Sequence, residues 1–277
     1  MNVRDRLRVT PGRRVHLSEK SAGATPGCGE KERSLEALEP ILTELRKLQF
    51  RLFAEGRRAL LVILQGMDAA GKDGVVRHVI GGLNPQGCRV TSFKTPSALE
   101  LQHDFLWRVH QAAPAAGEIG VFNRSHYEDV LIVRVHDLVP PAVWRPRYEQ
   151  INHFERYLAD SGVTIVKFFL HVSRAEQTER LLERLDDPTR NWKFTPGDIQ
   201  ERRNRVAYRR AYEEMLAKCS TPWAPWYAIP SDHKWYRNWA VAEILRETLA
   251  EMKPQFPKAR HDARELRRRL LRDDAKG

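Results

Sequence analysis

The chain alternates between short apolar segments and longer amphipathic ones, and this alternation limits its possible folds more than any other feature. Between the apolar segments, apolar residues recur at helical spacing, most clearly from Ser34 to Glu55. Five segments have the length and composition of strands: 59–65, 88–93, 118–122, 163–172 and 226–230. Strands that alternate with helices form a parallel sheet with helices on both faces. The sequence therefore predicts a three-layer α/β fold around one parallel sheet.

Signals at helix starts support these boundaries. Ser97 with Glu100, and Ser173 with Glu176, have the spacing of a capping box, in which each side chain accepts a hydrogen bond from a backbone N–H group that the helix leaves unpaired. A basic segment after Asp198 is predicted to form one long helix, and a helix of about twenty residues follows the last strand.

The chain is predicted to form one main domain with two appendages. Residues 1–32 combine arginine, glycine, serine and proline without periodicity, which predicts a tail or a loosely docked arm. Residues 33–256 form the predicted domain, and residues 257–277 form a basic tail.

Composition excludes several classes of protein. Three cysteines, far apart and without a CxxC pair, indicate neither a disulfide framework nor a thiolate zinc site. No apolar run approaches the ~20 residues needed to cross a bilayer, and the first residues lack the apolar core of a signal peptide, so we expect a cytoplasmic protein. A net charge of +11 predicts attraction to a polyanion, for which nucleic acid, membrane lipid and inorganic polyphosphate all qualify.

The end of the first predicted strand has the pattern of a phosphate-binding loop. The segment GMDAAGKDG, residues 66–74, matches GxxxxGK between an apolar strand and a helix. Its glycines let backbone N–H groups turn toward an anion, the helix start adds the positive end of its dipole, and Lys72 supplies a mobile cation. The predicted phosphate contacts are Gly66, Ala69, Ala70, Gly71, Lys72, Asp73 and Gly74, with Arg77 further into the helix.

Two carboxylates in this loop require a cation, because a carboxylate repels a polyphosphate unless a positive charge lies between them. Mg²⁺ binds through one or two carboxylates together with substrate phosphates, so Asp68 is a candidate ligand, with Mn²⁺ as an alternative ion. Asp73 stands where the usual motif has Ser or Thr. It either contributes to the site or only caps the helix start.

The end of the third predicted strand, FNRSHYEDV at 122–130, is dense in polar groups. In an open parallel sheet, ligands bind beyond the carboxyl ends of the strands. Arg124 could neutralise a transferring phosphoryl group, and Glu128 or Asp129 could bind a second metal or orient the acceptor. A capped helix start with surface charges is the alternative. The candidate residues are Asn123, Arg124, Tyr127, Glu128 and Asp129.

A third polar segment, RLDDPTRNWKF at 184–194, lies between two predicted helices. Its cations, Arg184, Arg190 and Lys193, predict a lid over phosphates at about 184–200. An ordinary surface turn set by Asp187 and Pro188 is the alternative. In the following basic helix, the arginines either line a channel for a polyanion or form a solvated face: Arg202, Arg203, Arg205, Arg209 and Arg210.

Together these three segments resemble the two Walker motifs and the lid of family 2 of the polyphosphate kinases. They are longer and more distinctive than a generic phosphate loop, they occur in the family's order, and the resemblance extends over approximately residues 35–239. The second motif, with NPQGCRVTSFKTPSALELQHDFLWR at 84–108, is most similar to the class III branch. Other branches tend to carry Asp in place of Asn123 and Asn in place of Glu128.

The resemblance implies a P-loop kinase-like fold with a helical lid, and transfer of the terminal phosphoryl group of inorganic polyphosphate to a nucleotide. Class III membership implies that AMP and ADP are both acceptors and ATP the final product, with GMP and GDP as further candidates. It also implies that Asp68 and Asp129 bind or position Mg²⁺ and that Lys72 and Arg124 contact the transferred group. A homo-oligomer is expected from the same resemblance.

Two other functions stay open at this point. An ATP-dependent nucleoside or nucleoside-monophosphate kinase would normally have Ser or Thr after the loop lysine, where this chain has Asp73. A basic nucleic-acid-binding protein would explain the net charge but not the carboxylates of the loop. We expect neither a specific nucleic acid nor a membrane as a partner.

Overall fold

The computed structural model describes residues 2–28 and 30–274, and its five strands form one sheet. The strands are β1 (Ala59–Gly66), β2 (Cys88–Ser92), β3 (Ile119–Asn123), β4 (Val163–His171) and β5 (Trp226–Pro230). Their order is β2-β3-β1-β4-β5, and every pair is parallel. Leu64 of β1 lies opposite Asn123, and Gly66 lies opposite Leu170 of β4. The carboxyl ends of the three central strands are therefore neighbours at one edge of the sheet.

Helices cover both faces of the sheet. The α-helices of the described residues are α1 (Val3–Leu7), α2 (Glu19–Ala22), α3 (Lys31–Glu55), α4 (Lys72–Val75), α5 (Trp107–Ala112), α6 (Ile132–Val135), α7 (Pro141–Trp144), α8 (Arg147–Asp160), α9 (Arg174–Asp186), α10 (Pro196–Arg203), α11 (Arg205–Cys219), α12 (Lys234–Met252) and α13 (Ala263–Asp274). A π-helical turn, Val76–Ile80, continues α4. Short 3₁₀ turns span Pro85–Gly87, Glu100–Gln102, His126–Val130 and Asn191–Lys193.

Two apolar layers enclose the sheet, because side chains of a strand alternate between its faces. Leu60, Val62 and Leu64 of β1 pack into a layer with α3 and α12, whereas Leu61 and Ile63 pack into a layer with α8 and α11. All eight residues of β1 are buried. A strand buried on both faces is a continuous apolar run, which is how β1 appears in the sequence.

The predicted α/β fold is confirmed, and each predicted strand matches an observed one to within one residue at each end. The predicted capping hydrogen bonds at Ser97 and Ser173 are also observed, with each hydroxyl accepting from the N–H group three residues later. Ser173 caps α9, but the helix predicted to start at Ser97 is wrong, because only the 3₁₀ turn Glu100–Gln102 follows it. The single helix predicted after Asp198 is wrong, since the chain leaves helical geometry at Asn204 and divides into α10 and α11. The break accompanies the burial of Arg205, which turns inward.

The N-terminal arm, residues 2–28, packs against the domain, so the prediction of a tail or a loosely docked arm is wrong for these residues. Val3, Leu7, Val9 and Leu17 are buried. The N–H group of Val9 donates to the carbonyl of Trp226 at 2.9 Å, beside the edge strand β5. Isolated apolar residues in such short elements have no periodicity for a sequence analysis to detect.

The basic tail predicted at 257–277 is mostly helix α13, whose described side chains are exposed. Its last three residues, 275–277, lie outside the described part of the chain. Within residues 2–28 and 30–274, none of the helices combines the length and apolarity needed to span a bilayer.

Candidate functional site at the ends of β1 and β3

Two glycines shape the loop between β1 and α4. Gly66 has φ 156°, and a Cβ there would lie 2.7 Å from the carbonyl oxygen of Leu170. Gly71 has φ 104°, and a Cβ there would lie 1.8 Å from Nη1 of Arg237. Both positions therefore exclude a side chain, and the GxxxxGK spacing reflects close packing as well as backbone freedom.

Two side chains of helix α9 donate hydrogen bonds to backbone carbonyl groups of the loop. The guanidinium of Arg180 donates to the carbonyls of Ala69 at 2.9 Å and Ala70 at 3.2 Å. The side-chain amide of Gln177 donates to the carbonyl of Asp68 at 2.9 Å. A buried cation paired with these oxygens removes negative potential from the loop, which favours the binding of an anion to it.

Lys72 is buried beneath the same loop. Its Nζ donates to the carbonyl of Gly66 at 2.6 Å and to that of Met67 at 3.2 Å. Burial, reinforced by the nearby charge of Arg124, lowers the pKa of Lys72 to about 8, although neighbouring carboxylates oppose the shift. The lysine is still a cation at neutral pH.

Arg124 connects the two strand ends. Its Nη2 donates to Oδ1 of Asp68 at 2.7 Å, and its Nη1 lies 3.9 Å from Oε2 of Glu128. The residue has a left-handed backbone, φ 63°, which costs a non-glycine residue roughly 1 kcal/mol or more. Burial opposes the charge of Arg124, but Glu128 and Asp68 outweigh it and raise the pKa of the guanidinium.

Glu128 and Asp129 are consecutive and have different partners. Burial raises the pKa of Glu128, against the charges of Arg124 and Lys72. Its carboxylate lies near Asp68, Lys72 and Arg124, and we call these four residues the loop cluster. Asp129 accepts from Nη1 of Arg147 at 3.1 Å, and burial raises its pKa to about 6. The structure thus brings Glu128 to the Asp68–Arg124 pair and Asp129 to Arg147. The role of Asp129 as a metal ligand stays a prediction.

Asp73 forms the outer rim of the site. Its Oδ1 accepts from the amide of Asn123 at 2.8 Å, and its Oδ2 lies 3.9 Å from Nζ of Lys193. The predicted lid therefore reaches the loop through Lys193. Of the other predicted contacts, Arg190 pairs with Asp187 inside the lid segment, and Arg77 is exposed. Their contacts with substrate, and those of the half-buried Arg184, stay predictions.

Tyr127 is in the core, and the prediction that it contacts substrate directly is wrong. Its side chain is 0% exposed. The hydroxyl donates to Oε1 of Glu155 at 2.8 Å and accepts from Nζ of Lys167 at 2.7 Å. Tyr127 anchors the segment from beneath, while Asn123 and Arg124 point toward the loop.

The acidic groups of the site suit a magnesium ion that shares its ligands with phosphate. In the described residues there is no cluster of three or more His, Cys, Asp or Glu side chains suited to a metal. Mg²⁺ usually needs only one or two carboxylates plus substrate phosphates, so Asp68 with Glu128 nearby provides a fitting donor set. These side chains would bind the ion together with substrate phosphates and would not enclose it with protein ligands alone.

Three supporting residues were missed by the sequence analysis: Gln177, Arg180 and Arg237. Arg237 is 3% exposed, and burial, together with the charge of Arg180, lowers its pKa to about 10. Its Nε and Nη2 donate to Asn238, and its guanidinium lies against Gly71. The rule that ligand sites lie beyond strand ends could have found all three, because they follow the ends of β4 and β5.

Comparison with known proteins places this site in a family. The family model described as Polyphosphate kinase 2 (PPK2) matches residues 29–257. The AMP/ADP-polyphosphate phosphotransferase of Meiothermus ruber is 52% identical over 253 residues, covering 91% of this chain and 95% of that protein. The ADP-polyphosphate phosphotransferase of Rhodopseudomonas palustris is 44% identical, covering 96% of this chain and 98% of that protein.

The fold comparison agrees with the sequence comparison. The crystal structure of polyphosphate kinase 2 from Arthrobacter aurescens TC1 superposes with a TM-score of 0.93 at 42% identity, covering 98% of this chain and 97% of that one. The family match includes the phosphate loop, the Asp68–Arg124 pair and the lid segment, all within residues 29–257. The chain belongs to the polyphosphate kinase 2 family.

Proposed function

We propose that this protein is a polyphosphate:nucleotide phosphotransferase that moves the terminal phosphoryl group of inorganic polyphosphate to both AMP and ADP. The observation that carries the proposal is the meeting of Lys72 and Arg124 at a phosphate loop whose carboxylate, Asp68, pairs with Arg124 at 2.7 Å. Cations aimed at transferring oxygens, with an acidic group beside them, are what phosphoryl transfer between two anions requires.

The residues of the loop cluster and the residues that contact it would have different roles in the transfer. Lys72 and Arg124 neutralise the charge that spreads over the transferred group in a loose transition state. Arg180 and Gln177 fix the carbonyl side of the loop, so that the loop is already in position before the phosphates arrive. Lys193 closes over the outer rim near Asp73 and reduces access of water, which would otherwise compete as an acceptor.

The proposal that AMP and ADP are both acceptors is supported by the names of relatives. The Meiothermus ruber protein is named for AMP and ADP, and the Rhodopseudomonas palustris protein for ADP. The former has the higher identity, and Asn123 and Glu128 have the form typical of class III. GMP and GDP are further candidate acceptors. We also propose that the protein forms a homo-oligomer and is located in the cytoplasm.

Asp68 would bind Mg²⁺ together with phosphate oxygens, and Mn²⁺ could replace it. The bound ion would supply neutralising charge between the carboxylate and the phosphates. Glu128 stands near as a second acidic group, with its charge partly balanced by Arg124 and Lys72.

Nucleotide analysis tests the proposal directly. Purified protein, Mg²⁺ and long-chain polyphosphate are incubated with AMP or with ADP, and no nucleoside triphosphate is added. ATP formed from both acceptors is the expected result. ATP from ADP alone would restrict the acceptor to diphosphates. Activity that requires ATP as donor would instead indicate a conventional nucleotide kinase.

Replacing Asp68 by Asn tests the acidic group. The variant should lose turnover by roughly a hundredfold or more, because it removes a metal ligand and leaves the core intact. Melting temperature should match that of Asp160→Asn, a control on the exposed end of α8. Near-normal turnover at saturating Mg²⁺ would show that Asp68 does not bind the metal.

A further inference from the structure

A short segment of the N-terminal arm, residues 17–22, lies against the elements that support the phosphate loop. We call it the arm segment. It precedes residue 29, where the match to the family model begins. Leu17 is buried and its N–H group donates to Glu213 of α11 at 2.9 Å. The arm segment is therefore fixed on α11, beside the carboxyl ends of β4 and β5.

Glu19 makes the most direct connection. Its two carboxylate oxygens accept from Nη2 of Arg205 at 3.1 and 3.2 Å, and Oε2 also accepts from the N–H group of Arg174 at 2.6 Å. Arg174 is the first residue of α9, so the carboxylate also lies at the positive end of that helix. Burial opposes the ionised form of Glu19, but these donors outweigh it and lower the pKa of the carboxyl.

Arg205 transmits this contact toward the loop. It is 9% exposed, and its Nη1 lies 3.3 Å from both Oε1 of Gln177 and Sδ of Met67, a loop residue. Gln177 in turn donates to the carbonyl of Asp68. A continuous series of contacts therefore runs from Glu19 through Arg205 and Gln177 to the backbone of the loop carboxylate.

Two backbone contacts of the arm segment lead to the same region. The carbonyl of Ala22 accepts from the N–H group of Asp232 at 3.1 Å. The carbonyl of Asp232 accepts from Nη2 of Arg180 at 2.9 Å, and Arg180 binds the loop directly. The carbonyl of Ser18 lies 2.8 Å from Nε2 of His171, the last residue of β4.

We propose that the arm is a working part of the catalytic site and that Glu19 is a positioning residue for the phosphate loop. By fixing Arg205 and the start of α9, Glu19 places Gln177 behind Asp68. If Glu19 lost its charge, Arg205 would have no carboxylate partner, and the loop would sample positions unsuited to phosphoryl transfer. This inference rests on the proposed function for its kinetic readout, but the position of the loop can be measured independently.

The experiment compares Glu19→Gln with Glu251→Gln in the full-length protein. Glu251 pairs with Arg4, so the control also breaks one arm ion pair, but at α12 and away from the loop. Glu19→Gln should lower kcat for polyphosphate-driven ATP formation by roughly tenfold, with smaller changes in KM, since a hydrogen bond to a charged group is worth that order. Glu19→Asp, which retains the charge, should recover part of the loss.

Hydrogen exchange of the amides at 66–74 provides the second readout. Exchange should be several times faster in Glu19→Gln than in the wild type or Glu251→Gln, while melting temperatures of the two variants agree. Kinetics or loop exchange equal to those of Glu251→Gln would overturn the inference. A wild-type protein without polyphosphate-dependent activity would overturn the proposed function instead, and the exchange comparison would still decide the role of Glu19.

Discussion

Lys72 shows how burial changes the chemistry of one side chain. An exposed lysine is charged far into the alkaline range, whereas burial under the loop and the charge of Arg124 lower the pKa of Lys72 to about 8. A cation with few water ligands can interact with phosphate oxygens at little cost of desolvation. The same shift makes the group sensitive to pH near the physiological range.

The pH dependence follows from the direction of this shift. Below about pH 8 Lys72 is protonated, and above it the free enzyme loses the cation, so kcat/KM for polyphosphate should fall as pH rises through about 8. In Lys72→Arg the guanidinium stays charged, so this alkaline decline should move to higher pH even if activity is lower. An unchanged decline in Lys72→Arg would assign the titration to another group.

Gly71 offers a second test at the scale of a residue. Gly71→Ala would place a methyl group on the guanidinium of Arg237 and also force alanine into a positive φ. Gly12 has φ 70° and open space around it, so Gly12→Ala measures the backbone cost alone, about 1 kcal/mol. Gly71→Ala should lower the free energy of unfolding further and remove activity. Equal unfolding free energies in urea would show that Arg237 moves aside without cost.

At the scale of elements, a buried polar network joins α8 and β4 to the segment that carries Arg124. Glu155 and Lys167 are both 0% exposed and form an ion pair, and Lys167 also donates to the carbonyl of Cys219 at 2.7 Å. Burial opposes the charge of Glu155, but Lys167 and His126 outweigh it and lower the pKa of the carboxyl. The network fixes His126 and Tyr127, which follow Arg124 by two and three residues.

Glu155→Gln should lower the free energy of unfolding by roughly 3 kcal/mol, because it leaves the cation of Lys167 buried without a counter-charge. The double variant Glu155→Gln/Lys167→Met should recover much of this loss, since both charges are then absent. Glu149→Gln, on the exposed side of α8, is the matched control. Urea titrations of the four proteins provide the measurement. A double variant less stable than Glu155→Gln would contradict the argument.

The elements themselves were readable from sequence because strand and helix periodicities are local properties. The strands and the capped start of α9 fall where the patterns place them. Contacts between distant segments have no such local signal. The docking of the arm and the ion pair of Glu155 with Lys167 depend on tertiary packing, and neither is evident until β4, β5 and α8 are in place.

The candidate site likewise has residues that the sequence predicts and residues that it does not. The loop and the polar end of β3 are contiguous motifs, so Asp68, Lys72 and Arg124 could be named in advance and are found together. Sequence could not distinguish Glu128 from Asp129, or show that Tyr127 points into the core, because consecutive residues of a 3₁₀ turn face different directions.

For the whole molecule, the excess positive charge is relevant to a polymeric substrate. The net charge of +11 raises the local concentration of any polyanion, and long polyphosphate has many more charges than a nucleotide. Some basic residues are paired within the fold, as Arg205 is with Glu19, and such pairs add nothing to this excess. Exposed arginines of α10 and α11, including Arg203 and Arg210, remain as candidates for contact with the polymer.

The KM values for polyphosphate and for the nucleotide should depend differently on salt concentration. Binding a long polyanion releases its condensed counterions, so affinity falls steeply with salt, whereas a nucleotide with few charges depends on salt much less. Raising KCl from about 50 to about 200 mM should increase KM for long polyphosphate roughly tenfold, with a smaller increase in KM for ADP. Polyphosphate of only a few residues is the control, and its KM should change about as little as that of ADP. If long and short chains responded alike, contact with the polymer would be confined to the phosphate loop, and the surface charge would have another purpose.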